Sequence, residues 1–261
     1  MLAPLYTPRT VSDPAYHLRF TWAGWPSTGT FPPLPPLGEL TSQWETDGLR
    51  LLEQRFQPRQ IQFTFSARPQ VSPVFFAARV KGRLQHAYRA VGQSTSFSRK
   101  VAVGTVGRNY RADVEAYIER QVAKERLVDP RYRAFLEQFT VRFPDVDLSV
   151  PSETNSGRYW YNLHIVLVSE GRERNHDAEY LSTLRDQSLR IAEKKGHRIS
   201  ALSAMPDHLH LALRGNIEEA PEAIALAFMN NLAYALGQQP VWRYGYYAGT
   251  CGEYDMNAIR G

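Results

Sequence analysis

The sequence predicts an α+β fold built twice, as two halves that each carry an antiparallel sheet with helices on one face. Three observations lead there. Alternating strands interleave with amphipathic helices in the same order in both halves. A Gly-Thr motif recurs late in each half, and the two copies keep one spacing. Gly104, Thr105, Gly107 and Val114, in VGTVGRNYRADVEAYIERQ, match Gly249, Thr250, Gly252 and Ile259, in AGTCGEYDMNAIRG, at an offset of 249 − 104 = 145. Tyr16 and Tyr161 share that offset.

The first half opens with AYHLRFTWAGW, residues 15–25, whose alternation marks a strand. The Pro-rich stretch Pro26 to Gly38 excludes helix and central strand. Trp44, Leu49, Leu51, Leu52 and Phe56 predict a helix over residues 41–56, and QIQFTFSAR, residues 60–68, a second strand. Pro73 suits a helix start running to about Val91. The motif at Gly104 to Gly107 reads as a loop leading into a final helix.

The second half repeats the plan. YWYNLHIVLVSEGR, residues 159–172, alternates around Leu163, Ile165 and Leu167. Leu181, Leu184, Ser188, Ile191 and Ala192 give a helix from about Asp177 to Lys195 one buried face, and Gly196 ends it. HRISALSAM and the strand at His208 follow, then a helix from Pro221 to about Leu236. Each half thus reads β-α-β-β-α, a ferredoxin-like or RRM-like order, and the two form an intramolecular pseudo-dimer. Residues 1–127 are the first half, 128–157 a connection with a short helix at YRAFLEQF, and 158–261 the second half. Pairing of both halves' strands into one sheet would cover two exposed edges.

The chemistry is divided between the halves. His208 and His210 stand two apart in a strand, so both imidazoles project from one face. With an oxygen ligand they would make a divalent-ion site, and imidazole alone favours ions softer than Mg²⁺. Tyr117 and Gln121 are four apart, one turn along a helix face, which lets the Gln121 amide reach a metal beside a nucleophilic phenol. At the 145 offset the histidines fall on Phe63 and Phe65, which cannot bind a cation, and Tyr117 falls on position 262. One composite site per chain is expected, with the phenylalanines filling the space of an absent ion. His164 suits a ligand or a DNA contact less well than a packed histidine. Cys251 sits where the first copy has Val106, so packing accounts for it.

These motifs, Met205-Pro206-Asp207-His208-Leu209-His210 and the glycine loop ahead of Tyr117-Ile118-Glu119-Arg120-Gln121, resemble those of the single-tyrosine HUH transposases, including the REP-associated group. The resemblance implies a dimer in which one subunit's tyrosine works with the other's histidines. It also implies Mg²⁺ or Mn²⁺, held here by His208, His210 and Gln121, and single-stranded or hairpin DNA as partner. Tyr117 would attack a phosphodiester, leaving a 5′-phosphotyrosine and a free 3′-OH. A catalytically silent hairpin-binding protein, or a relaxase or replication-initiator-like nickase with the same histidine pair, is the alternative.

Charge fits an anionic partner. The net charge is +5, and residues 79–126 hold eleven Lys and Arg against four Asp and Glu. Within that block Arg79, Lys81, Arg83, Arg99 and Lys100 are candidate DNA contacts. One cysteine excludes an internal disulfide and fits a reducing compartment. No apolar run reaches the ~18 residues of a membrane span, and the N-terminal residues lack a signal-peptide layout. A cytoplasmic monomer acting as a pseudo-dimer is expected.

Overall fold

A computed structural model describes residues 3–93, 95–124, 129–237 and 240–253. The first half runs β1 (Asp13–His17), β2 (Arg19–Pro26), α1 (Leu37–Thr46), β3 (Leu49–Gln57), β4 (Gln60–Ala67), α2 (Pro73–Ala90) and β5 (Phe97–Val106). Then come α3 (Arg111–Glu119), α4 (Gln121–Lys124), α5 (Pro130–Glu137), β6 (Thr140–Arg142) and β7 (Ser152–Thr154). The second half runs β8 (Gly157–Trp160), β9 (Asn162–Val168), α6 (Ala178–Lys195), β10 (Arg198–Met205), β11 (His208–Arg214), α7 (Pro221–Ala235) and β12 (Gly245–Thr250).

The fold is mixed α+β, with two six-stranded sheets rather than one continuous sheet. One is ordered β1-β12-β9-β11-β10-β6, the other β7-β8-β5-β2-β4-β3. Five positions correspond: β1 with β8, β12 with β5, β9 with β2, β11 with β4 and β10 with β3. The neighbours within each sheet are antiparallel, except β1 with β12 and β5 with β8, which are parallel. Those two pairs exchange strands between the halves. β1 leaves the first half to join the second half's sheet, and β8 does the reverse. The crossing residues, Leu18 and Tyr161, are fully buried.

The two Gly-Thr motifs meet between the sheets. Thr105 Oγ1 donates to the Cys251 carbonyl at 2.9 Å, and Thr250 Oγ1 lies 2.7 Å from the Val106 carbonyl. The Asn162 amide donates to Thr105 Oγ1, and the Arg19 amide to Thr250 Oγ1. A Cβ on Gly107 would meet the Thr250 carbonyl oxygen at 2.3 Å, and one on Gly252 the Thr105 carbonyl oxygen at 2.2 Å. Glycine is needed at both places for close approach. The motif is therefore the end of a strand and a reciprocal lock, not the loop that its composition suggested. Ile259, matched to Val114, lies outside the described residues, as does the helix stub expected after Gly252.

Two elements differ from the sequence reading. Residues 41–56 are not one helix: α1 ends at Thr46, Gly48 takes φ 82°, and β3 begins at Leu49. The 145 offset also does not hold through the halves. Arg19 and Asn162 occupy equivalent places (162 − 19 = 143), as do Pro73 and Pro221 at the starts of α2 and α7 (221 − 73 = 148). Within the sheets Thr21 pairs with Thr64, and His164 with Ala212, so β4 maps onto β11 at 212 − 64 = 148. His208 and His210 thus correspond to Gln60 and Gln62. Phe63 and Phe65 correspond to Leu211 and Leu213, on the helix side of the sheet. There Phe65 packs edge-on to Trp44 and Phe76, and Phe63 against Trp22. The expectation that these rings fill an absent ion's space is incorrect, because they face the other way.

Candidate active site

α3 crosses the face of β10 and β11 opposite α6 and α7. It docks through Val114 and Ile118 onto Ala201, Ala212 and Cys251, whose small side chains admit a close helix. Arg142 fixes its outer side, with Nη1 2.9 Å from Glu119 Oε1 and Nη2 3.3 Å from Glu115 Oε2. Asp113 accepts the Tyr110 amide at the helix start. Cys251 is buried beneath this contact, and burial pushes its thiol up to about 12, in keeping with a packing role.

This docking carries Tyr117 from the first half onto the histidine strand of the second. A cavity of about 690 Å³ is lined by Tyr117, Gln121, His164, His208 and His210, with Asn109, Asp113, Arg120, Arg172 and Tyr247 among the other walls. The Tyr117 ring lies 5.5 Å from that of His210 and 5.9 Å from that of His164, both edge-on. The two strand histidines have ring centres 4.9 Å apart. Tyr117 is 39% exposed and its ring carries the Lys124 ammonium 3.2 Å above its centre.

Tyr117 and Gln121 do not share one continuous helix. α3 gives way at Arg120, and Gln121 begins α4. Gln121 is nevertheless buried in the site, with Nε2 donating to the Tyr117 carbonyl at 3.0 Å.

Each histidine is held by a neighbour. His208 Nδ1 is 2.7 Å from Asp207 Oδ1, and His210 Nδ1 is 3.0 Å from His164 Nε2. His210 is only 5% exposed. Burial first, then the positive potential of His164, His208 and Lys124, pushes it down to about 2, and burial takes His164 to about 4. Both rings are neutral at pH 7, the form with a free lone pair. His164 and Asp207 therefore matter more than their sequence positions suggested. The signal for His164 was its face, shared in register with Ala212 and Gly249. Asp207 was visible as the residue before His208. Tyr247 and Arg172 gave no such signal.

The candidate DNA contacts lie elsewhere. Arg83 is paired with Asp47, and Arg79 lies 3.8 Å from the same carboxylate. Lys81 Nζ donates to the Ser98 carbonyl at 2.8 Å. These three stabilise the packing around α2. Arg99 and Lys100 are exposed on β5, and none of the five lines the cavity.

Among the described residues no group of three or more His, Cys, Asp or Glu side chains is arranged to hold a metal. The donor set nonetheless suits a divalent ion with an amide as third ligand. With both Nδ1 atoms engaged, His208 and His210 present Nε2, and Gln121 has Oε1 to spare. Such outer partners orient ligating imidazoles.

Residues 158–261 match the family model described as transposase IS200 like. A solved structure described as that of a candidate transposase from Deinococcus radiodurans R1 is similar at 24% identity over 36% of this chain and 80% of that one, with a TM-score of 0.31. The comparison with curated proteins gave no match. No helix among the described residues is long and apolar enough to cross a membrane.

Proposed function

We propose that the chain is a metal-dependent, single-tyrosine endonuclease and strand transferase acting on hairpin-bearing single-stranded DNA. Its two halves, residues 1–127 and 158–261, serve as a fused pseudo-dimer joined by residues 128–157. The observation that carries this reading is the arrival of Tyr117, from one half, against His208 and His210 of the other. A silent binding protein has no need for that convergence.

His208 and His210, through Nε2, and Gln121, through Oε1, would hold Mg²⁺ or Mn²⁺. When bound, the ion supplies polarisation of the phosphodiester and stabilises charge developing on its oxygens. The chain's own residues do the rest. Tyr117 Oη gives up its proton to solvent and attacks phosphorus in line, forming a 5′-phosphotyrosine while the P–O3′ bond breaks and the leaving 3′-oxygen takes a proton from solvent. Asp207 keeps His208 in its Nδ1–H tautomer, and His164 does the same for His210. Lys124 restrains the Tyr117 ring and adds positive charge where phosphate enters. The covalent bond keeps the phosphoester energy for a later attack by a 3′-OH, which releases Tyr117.

The test is trapping of a denaturant-resistant adduct between the full chain and a 3′-labelled hairpin oligonucleotide with Mn²⁺ or Mg²⁺, since the 3′-side fragment is the one that stays on Tyr117. Tyr117→Phe should abolish the adduct and leave binding nearly unchanged. An adduct that persists in this variant would refute the assignment.

A further inference from the structure

The loop between β9 and α6 holds a residue that the mechanism above does not use. Arg172 has φ 54°, beside Gly171 at 58°, and is the one residue other than glycine with positive φ among the described residues. An arginine there costs stability that glycine would not, and such strain persists where a site needs the side chain. The loop is pinned at both ends. The Ser169 amide donates to the Asp207 carbonyl, the Glu170 amide to the Val241 carbonyl and the Asn175 amide to the Pro206 carbonyl, each at 2.9 Å. The Ser169 hydroxyl lies 2.8 Å from the Glu173 carbonyl.

The pinned backbone aims Arg172 at the mouth of the cavity that holds Tyr117, His208 and His210. Its side chain is 70% exposed, and Nη1 lies 3.6 Å from Asp207 Oδ2. The other oxygen of that carboxylate takes His208 Nδ1. The guanidinium is therefore one carboxylate away from the histidine pair, with donors still open to solvent. Asp113 is the single acidic residue of the lining, against Arg120 and Arg172. A planar guanidinium with open donors beside a nucleophile matches a phosphate, which it can grip with two hydrogen bonds.

We propose that Arg172 is a phosphate clamp, gripping a backbone phosphate of single-stranded DNA beside the scissile one and holding the strand against Tyr117. The clamp rests on the DNA-cleaving reading above. The test compares the full wild-type chain with Arg172→Ala, Arg172→Lys and Arg172→Gly. Binding of a fluorescent hairpin oligonucleotide with a single-stranded flank is followed across a NaCl series without divalent ions. Arg172→Ala and Arg172→Gly should weaken binding on the order of tenfold at low salt. They should also lower the slope of log affinity against log salt by about one. Arg172→Lys should keep the slope and lose part of the affinity, because it keeps the charge without the fork. In adduct formation KM should rise more than kcat falls. Arg172→Gly should melt no lower than wild type, since glycine suits this φ, which separates lost binding from lost folding.

Wild-type affinity and slope in Arg172→Gly would overturn the clamp. Adduct formation with an unchanged slope sinks the clamp and leaves the nuclease reading standing. A lost slope in a protein that forms no adduct does the reverse. If the wild-type chain does not bind this oligonucleotide, both fall.

Discussion

At the scale of residues, position in the fold decides what a side chain does. His197 is buried, and its Nδ1 accepts the Asn216 amide at 2.9 Å. Burial, with Lys195 adding to it and Glu219 opposing, holds its pKa below the ordinary 6.5. As pH falls through 6.5 the unfolded chain takes up a proton that the folded chain refuses. The stability from this group is thus complete above that pH and lost below it, by up to about 1.4 kcal/mol per pH unit. Denaturant midpoints measured from about pH 8 down to about pH 5 should fall, and His197→Gln should flatten part of that fall. Phe63 gives a second residue-scale expectation. It is fully buried among Trp22, Trp44 and Phe65, so Phe63→Ala should cost about 3–5 kcal/mol in chemical denaturation. A loss below about 1 kcal/mol would contradict this placement. Tyr117, Gln121, His208 and His210 were legible in sequence because each is tied to a short local motif. Arg172 and Tyr247 were not, since a loop conformation and a strand pairing bring them in.

At the scale of elements, regular signals were read correctly and ambiguous ones were not. Asp177, Gly196, Pro73 and Pro221 mark helix ends by backbone chemistry, and those ends stand where the sequence put them. Residues 49–57 failed because Leu49, Leu52 and Phe56 stand at helical spacing, whereas in β3 they fall on opposite faces and leave Leu52 and Phe56 exposed. The turn at Asp47-Gly48 was the missed signal. The Gly-Thr motif failed for a different reason, because its glycines serve contacts with the other copy of the motif, far away in sequence, and not a local turn. Gly107→Ala should push a methyl into the Thr250 carbonyl and cost about 1–3 kcal/mol, the range for overpacking a tight contact. Gly252→Ala should do the same at Thr105. Thermal melts of the single and double variants should show less than additive losses, because both act on one junction. Full additivity would mean that the two contacts are independent.

At the scale of the molecule, strand exchange at Leu18 and Tyr161 makes each sheet dependent on both halves. Under the proposed mechanism one chain assembles one complete site. Mixing the Tyr117→Phe chain with the His208→Ala chain should therefore leave adduct formation absent. Recovery in the mixture would show that two chains share the site, while keeping the four residues in their roles. The face of the first-half sheet that corresponds to the histidines carries Gln60, Gln62 and Thr21, with Gln62 Nε2 donating to Thr21 Oγ1 at 3.1 Å. In a symmetric assembly of identical subunits, every amino-acid change lands twice and a damaged histidine is damaged everywhere. A chain that encodes both faces in one reading frame receives each change once. In the fused pseudo-dimer proposed above, one face can therefore carry glutamine and threonine while the other keeps its histidines.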